Sequence, residues 1–231
     1  LRISIKAWQS TLNKILELGS AYGRTGLGKN LRVNVEFVSA NPTGPLHVGH
    51  GRGAAYGATI SNLLRTVGFE VDNEYYVNDI GRQMDILTVS IFFRYLTLSG
   101  EKLRFPDNGY QGKYIKDIAA SVFEKYGERW RKGSSVIYKD VCKDGQQGGD
   151  KESHIDELIV RSRKLLGEGY EAIFRIGIES ILSGIKSDLA EFGVNFEKWF
   201  LERSLIENGL AKITVDKLQK SGHIYSKDGA L

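Results

Sequence analysis

The chain of 231 residues has little cysteine, methionine or proline. Its one cysteine, Cys142, excludes an internal disulfide and a cysteine-rich zinc site, and it agrees with a reducing compartment. No apolar run approaches the roughly 20 residues that a membrane-spanning helix needs, so we expect no membrane partner. We assign no metal ligands. The one methionine is Met84 and the chain begins at Leu1, so we expect a longer parent polypeptide.

Neither sign of charge dominates the composition. Lysine and arginine number 32 against 28 acidic residues, which gives a net charge of +4 and a pI of about 9.0. A mild basic excess permits a polyanionic partner without requiring one. The hydrophobic and charged fractions, 41% and 26%, are typical of a globular protein.

The most informative segment is residues 39–51, Ser-Ala-Asn-Pro-Thr-Gly-Pro-Leu-His-Val-Gly-His-Gly, which we call the histidine turn. Before it, Val33, Val35 and Phe37 alternate with polar residues, as in a strand. After it, apolar residues recur at helical spacing as far as Gly68, which predicts a helix. The turn is therefore predicted to join a strand to a helix in an α/β sheet, where ligands bind beyond the carboxyl ends of strands.

The two histidines of this turn suggest phosphate chemistry. Three residues are roughly one helical turn, so His47 and His50 are predicted to share a face at a helix start. Imidazole donors, unpaired backbone N–H groups and the positive end of the helix dipole would then meet in one anion site. Gly49 would leave flat backbone for a planar base. By chance, a sequence of this composition would contain about 0.008 matches to H-x-G-H. The alternative to an anion site is a glycine-rich turn with two surface histidines.

A second strand is predicted at residues 69–77, which makes a right-handed βαβ unit with parallel strands. Asn78, Asp79, Gly81 and Gln83 would then lie at the same sheet edge as the histidine turn. They are predicted either to bind ligand or, for Asn78 and Asp79, to cap the next helix.

Elsewhere the patterns predict helices at 1–20, 83–98, 113–126, 155–166, 170–192 and 214–220, and a short strand or extended arm at 194–201. Residues 127–151 are predicted to be a solvated, mobile loop, with nucleic-acid contact near Trp130 as the alternative. The polar helices at 155–192 suggest an insertion that projects from the sheet. Residues 224–231 resemble the first arm of a hairpin.

The run from Val35 to Ala55 resembles the signature region of class I aminoacyl-tRNA synthetases, and specifically of bacterial-type arginyl-tRNA synthetases. Three further stretches agree with this resemblance, namely residues 74–83, residues 110–119 and the tail Asp228-Gly229-Ala230. It implies an α/β fold in which an incomplete Rossmann-like parallel nucleotide-binding sheet carries a mainly helical insertion. The implied parts are a linker at 1–30, the first half of the catalytic domain at 31–110 and the connective insertion at 111–231.

The resemblance also implies the roles of the turn. His47 and His50 would be catalytic, and Ser39, Asn41 and His50 would approach the amino and carboxylate end of arginine. The ATP site would comprise Ala40, Asn41, Pro42, Thr43, Gly44, Pro45, Leu46, His47, Val48, Gly49 and His50. ATP with Mg²⁺, arginine and tRNA(Arg) are the implied ligands, and family members are usually cytoplasmic monomers.

One expected element is missing from these residues: the family's lysine-bearing K-M-S-K-S loop does not occur. We therefore expect the 231-residue chain alone to be inactive. Two other interpretations stay open, a small nucleotidyltransferase with an H-x-G-H turn and a non-catalytic RNA-binding module.

Overall fold

The computed structural model describes residues 2–225. The described elements are α1 (Ile5–Leu18), β1 (Arg32–Glu36), α2 (Val48–Thr66), β2 (Glu70–Val77), α3 (Arg82–Leu98), α4 (Lys113–Tyr126), α5 (Ser134–Ile137), α6 (Lys151–Leu166), α7 (Glu168–Glu191), β3 (Lys198–Leu201), α8 (Arg203–Glu207) and α9 (Leu210–Lys220). The tail motif at 228–230 lies outside the described residues, as does most of the predicted hairpin arm.

The three strands form one parallel sheet in the order β1-β2-β3. Val33 lies opposite Val71, and Tyr75 lies opposite Trp199. The parallel β1-α2-β2 unit and the α/β fold class are confirmed. The segment predicted as a strand or extended arm supplies β3, so the sheet takes one strand from the range 111–231.

Helix α2 packs closely on the residues that follow β1. A Cβ added at Gly57 would lie 2.1 Å from Cγ of Phe37, so this position has no room for a side chain. Just past the C-terminal end of α2, Gly68 has φ +96°, which matches the predicted glycine stop. Gly57 thus lets the middle of α2 approach Phe37, and Gly68 lets the chain turn from α2 into β2.

Helix α3 is the centre of the core, with eleven buried residues that include Leu87, Ile91 and Tyr95. Helix α7 packs along it so closely that a Cβ at Gly177 would lie 2.6 Å from Cδ1 of Ile91. Ile155 and Leu158 of α6 join the same core. The helices at 155–192, predicted to form an insertion that projects from the sheet, bury their apolar faces against α3.

The prediction of a solvated, mobile loop at 127–151 was wrong in part, since the segment contains α5 and buries two apolar side chains. Ile137 is fully buried and Trp130 is 9% exposed. The Trp130 ring packs 4.3 Å from that of Tyr126, and its backbone N–H donates to the Tyr95 hydroxyl at 3.0 Å. A tryptophan held this way is not free to stack on a base, which removes the basis of the nucleic-acid alternative at this site.

Several helices differ in detail from the prediction, and α1 and α9 are the clearest cases. Helix α1 begins at Ile5 and keeps its apolar stripe, including Trp8 at 62% exposure, open to solvent. Helix α9 begins at Leu210 rather than at Thr214, because Gly209 adopts a left-handed conformation just before it. Over residues 2–225, none of the helices is long and apolar enough to cross a membrane.

Candidate functional site

The histidine turn leaves β1 through a strained backbone. Val38 has φ +63° and Ser39 has φ +40°, in the left-handed region that β-branched residues disfavour. Two hydrogen bonds hold this conformation. Ser39 N–H donates to the Phe37 carbonyl at 2.9 Å, and Ser39 Oγ accepts the N–H of Tyr76 on the neighbouring strand at 3.0 Å. The turn is thereby attached to β2 at its first residues.

Tyr75 makes the second attachment. Its hydroxyl accepts the N–H of Ala40 and donates to the carbonyl of Ala40, each at 3.1 Å. The Tyr75 ring is fully buried and stacks on Trp199 of β3, with 4.4 Å between the ring centroids. Burial raises the pKa of Tyr75 to about 12, so the hydroxyl stays protonated at neutral pH. Sequence reasoning missed this role, because an inward tyrosine on a strand is usually only a core residue.

His47 and His50 come together as predicted, at the start of α2. Their rings stack with 3.8 Å between centroids. His47 is the N-cap residue, and its Nδ1 accepts the N–H of Gly49 at 3.1 Å. His50 returns the contact, since its Nδ1 accepts the N–H of His47 at 3.3 Å. Each histidine thus takes one side of a capping box.

This arrangement corrects one part of the predicted anion site. Unpaired backbone N–H groups were expected at the helix start, but the two imidazoles occupy those of His47 and Gly49. A nitrogen that accepts an N–H carries no proton, so each neutral ring carries its proton on Nε2. The site therefore offers two Nε2–H donors at the positive end of a helix.

Desolvation lowers the pKa of His50, and the neighbouring His47 lowers it further. The neutral form of His50, whose Nδ1 accepts the His47 N–H, is thus the favoured form near pH 7. Gly49 supports the stack as well, because a Cβ there would lie 3.0 Å from Cε1 of His47. A side chain at this position would press directly on the imidazole.

Tyr114, at the start of α4, holds the middle of the turn. Its hydroxyl donates to the Thr43 carbonyl at 2.7 Å. A Cβ at Gly44 would lie 3.0 Å from the same hydroxyl, so the glycine lets α4 approach. Burial raises the pKa of Tyr114, which keeps this donor protonated. The predicted core face of α4 gave no sign of this contact, because Tyr114 lies outside that face.

The end of β2 lies beside the turn, as predicted. Nδ2 of Asn41 donates to Oε1 of Gln83 at 2.8 Å. The capping alternative for Asn78 and Asp79 was wrong, since α3 has Gly81 as its N-cap residue without a side-chain bond. Asp79 instead accepts the backbone N–H of Arg203 at 2.9 Å, which ties the end of β2 to α8.

The remaining predicted residues of the turn differ in exposure. Pro42 is buried, Leu46 is half-buried, and Asn41, Pro45, Val48 and Gly49 are exposed. Ser39 lies beside β2 with its hydroxyl already engaged. Over residues 2–225, no cluster of three or more His, Cys, Asp or Glu side chains could hold a metal ion.

Comparison with known proteins gives a consistent result. Residues 11–98 match the model of a family described as tRNA synthetases class I (R), catalytic domain. The chain is 51% identical over 223 residues to the arginine–tRNA ligase of Thioalkalivibrio sulfidiphilus, with 96% of this chain and 38% of the relative covered. It is 52% identical over 227 residues to that of Hydrogenovibrio crunogenus, with 95% and 38% covered.

Solved structures agree. A Campylobacter jejuni chain assigned to the arginyl-tRNA synthetases superposes with a TM-score of 0.74 and 26% identity, covering 98% of this chain and 42% of that one. The arginyl-tRNA synthetase of Thermus thermophilus shares the fold, with a TM-score of 0.51 at 22% identity and coverage of 85% and 28%.

Proposed function

We propose that this chain belongs to the class I arginyl-tRNA synthetase family and that its parent polypeptide is an arginine–tRNA ligase, as the match of residues 11–98 and the two curated relatives support. The chain spans about 38% of the length of those relatives. The reaction would join arginine to AMP from ATP and then transfer arginine to tRNA(Arg). The division into linker, first catalytic half and insertion belongs to this proposal, as do a monomeric state and a cytoplasmic location.

The observation that carries the proposal is the mutual capping of His47 and His50. Both rings present an Nε2–H donor at the N-terminus of α2. In the proposed reaction, the carboxylate of arginine attacks the α-phosphorus of ATP and pyrophosphate leaves. Negative charge grows on the phosphorus oxygens as the new bond forms, and preorganised donors stabilise that charge.

The proposal assigns residues 40–50 to ATP, with His47 and His50 as the catalytic donors. Ser39, Asn41 and His50 would contact the amino and carboxylate end of arginine. Mg²⁺ would arrive with ATP as part of the substrate. Magnesium usually keeps its waters and the phosphate oxygens as ligands, so it needs few carboxylates from the protein.

The test is amino-acid-dependent exchange of pyrophosphate into ATP by the full-length polypeptide, with tRNA present. Arginine should support exchange, whereas lysine and citrulline should not. Nucleotide transfer that needs no amino acid would support the nucleotidyltransferase alternative instead. RNA binding without exchange, unaffected by ATP or arginine, would support the RNA-binding module.

A further inference from the structure

Gln83 lies where it can set the orientation of the Asn41 amide. Its Oε1 accepts the Asn41 Nδ2–H at 2.8 Å, across 42 residues of sequence. We propose that Gln83 is a positioning residue that orients Asn41 toward the ammonium group of the amino-acid substrate. This inference rests on the proposed function, which gives Asn41 its ligand.

The backbone that carries Asn41 is held in place. Ala40, the residue before it, has both of its backbone polar groups bonded to the buried Tyr75 hydroxyl. The next residues are held as well, because the Thr43 N–H donates to the Asn41 carbonyl at 2.8 Å and Tyr114 bonds the Thr43 carbonyl. The backbone on either side of Asn41 is therefore anchored.

The helix that carries Gln83 is held just as firmly on either side of it. Arg82 bonds Glu152 at 2.7 Å and Asp156 at 2.6 Å, both on α6. Asp85 accepts the Tyr170 hydroxyl at 2.9 Å and pairs with Arg163. The first turn of α3 is thus fixed to two other helices.

A planar amide with one end bonded has a defined orientation. With Nδ2 of Asn41 facing Gln83, its Oδ1 faces away and is available to accept a hydrogen bond from a substrate ammonium. The terminal torsion of asparagine is otherwise broad, so without Gln83 the substrate would have to order the amide on binding. The expected effect is weaker binding of arginine, with a much smaller effect on ATP, because the Asn41 backbone keeps its place in the turn.

Gln83 can be tested because it contributes little to packing. Its side chain is exposed, and Met84 rather than Gln83 turns into the core. The Gln83→Met substitution keeps the length of the side chain and removes the acceptor. Gln83→Glu keeps the length and an acceptor oxygen. Gln9→Met, at an exposed position on α1, is the matched control.

The experiment measures KM for arginine and for ATP in pyrophosphate exchange by the full-length polypeptide. Gln83→Met should raise the arginine KM about three- to tenfold, the effect of one net hydrogen bond, and change the ATP KM less than about twofold. Gln83→Glu should keep the arginine KM close to the wild-type value, because its carboxylate still accepts the Asn41 N–H. Gln9→Met should have the wild-type arginine KM. In an Asn41→Ala background, Gln83→Met should add nothing further.

Two results would overturn the inference. One is an unchanged arginine KM in Gln83→Met, and the other is an additive effect of Gln83→Met and Asn41→Ala. Absence of arginine-dependent exchange in the wild type would instead refute the proposed function. The two failures are therefore distinguishable.

Discussion

The hydroxyl of Tyr75 binds both the N–H and the carbonyl of Ala40, at 3.1 Å each, and so joins the central strand β2 to the histidine turn. Among residues 2–225, no other side chain bonds either of these two backbone groups. The tyrosine is also fully buried. Water therefore cannot readily replace the hydroxyl if it is removed.

The Tyr75→Phe substitution should lower the free energy of unfolding by about 1–3 kcal/mol, because it leaves two buried polar groups of Ala40 without partners. Urea unfolding of the chain measures this effect. Tyr56→Phe is the control, since Tyr56 is 71% exposed and its substitution should stay within about 0.5 kcal/mol. Equal effects of the two substitutions would show that the Tyr75 hydroxyl does not hold the turn.

Glycines on α2 should respond in opposite directions to alanine. Gly57→Ala places a Cβ 2.1 Å from the Phe37 ring and should destabilise the chain by about 1–3 kcal/mol or more. Gly53→Ala meets nothing within 4 Å and should stabilise α2 by about 0.5–1 kcal/mol through helix propensity. Thermal unfolding of both variants tests the pair. If Gly57→Ala were also stabilising, the close contact between α2 and Phe37 would be incorrect.

Much of the fold could be predicted from sequence because local patterns determine it. The alternation before the histidine turn, the helical spacing after it and the glycine stop at Gly68 each reflect a single element. The packing of α6 and α7 on α3 could not be predicted, since an amphipathic helix shows which face is apolar and not what covers it. The buried state of Trp130 depends in the same way on distant partners, Tyr95 and Tyr126.

The same contrast between local patterns and distant contacts applies to the site. The spacing of His47 and His50 predicts their shared face, and the βαβ rule predicts that Gln83 lies near the turn. The mutual capping was not predicted, because histidine is not a usual N-cap residue. Tyr75 and Tyr114 were missed because their hydroxyl contacts reach 35 and 71 residues along the chain.

The capping box should make the start of α2 sensitive to acid. The pKa of His50 is lowered from its ordinary value of about 6.5. The contribution of His50 to the free energy of unfolding is therefore complete above about pH 6.5 and is lost as the pH falls through the lower pKa of the folded state. At that point Nδ1 gains a proton and no longer accepts the His47 N–H. NMR titration of His50 should show a midpoint below 6.5. In His47→Ala that midpoint should move up, and an unchanged midpoint would exclude an influence of His47.

The two imidazoles are proposed to act on the phosphate as well as to cap the helix. His47→Asn separates these roles, because asparagine is a good N-cap residue but lacks the imidazole Nε2–H. The free energy of unfolding of the His47→Asn variant should stay close to that of the wild type, whereas that of His47→Ala should fall by about 0.5–2 kcal/mol. Equal stability of His47→Ala and wild type would show that the His47 cap contributes little.

The most direct measurement is arginine-dependent ATP–pyrophosphate exchange by the full-length polypeptide carrying His47→Asn, assayed with tRNA beside the wild type. The proposed phosphate role of His47 predicts that the barrier rises by about 2–4 kcal/mol, the loss of one preorganised donor, while the helix cap is kept. Exchange by His47→Asn at the wild-type rate would contradict it.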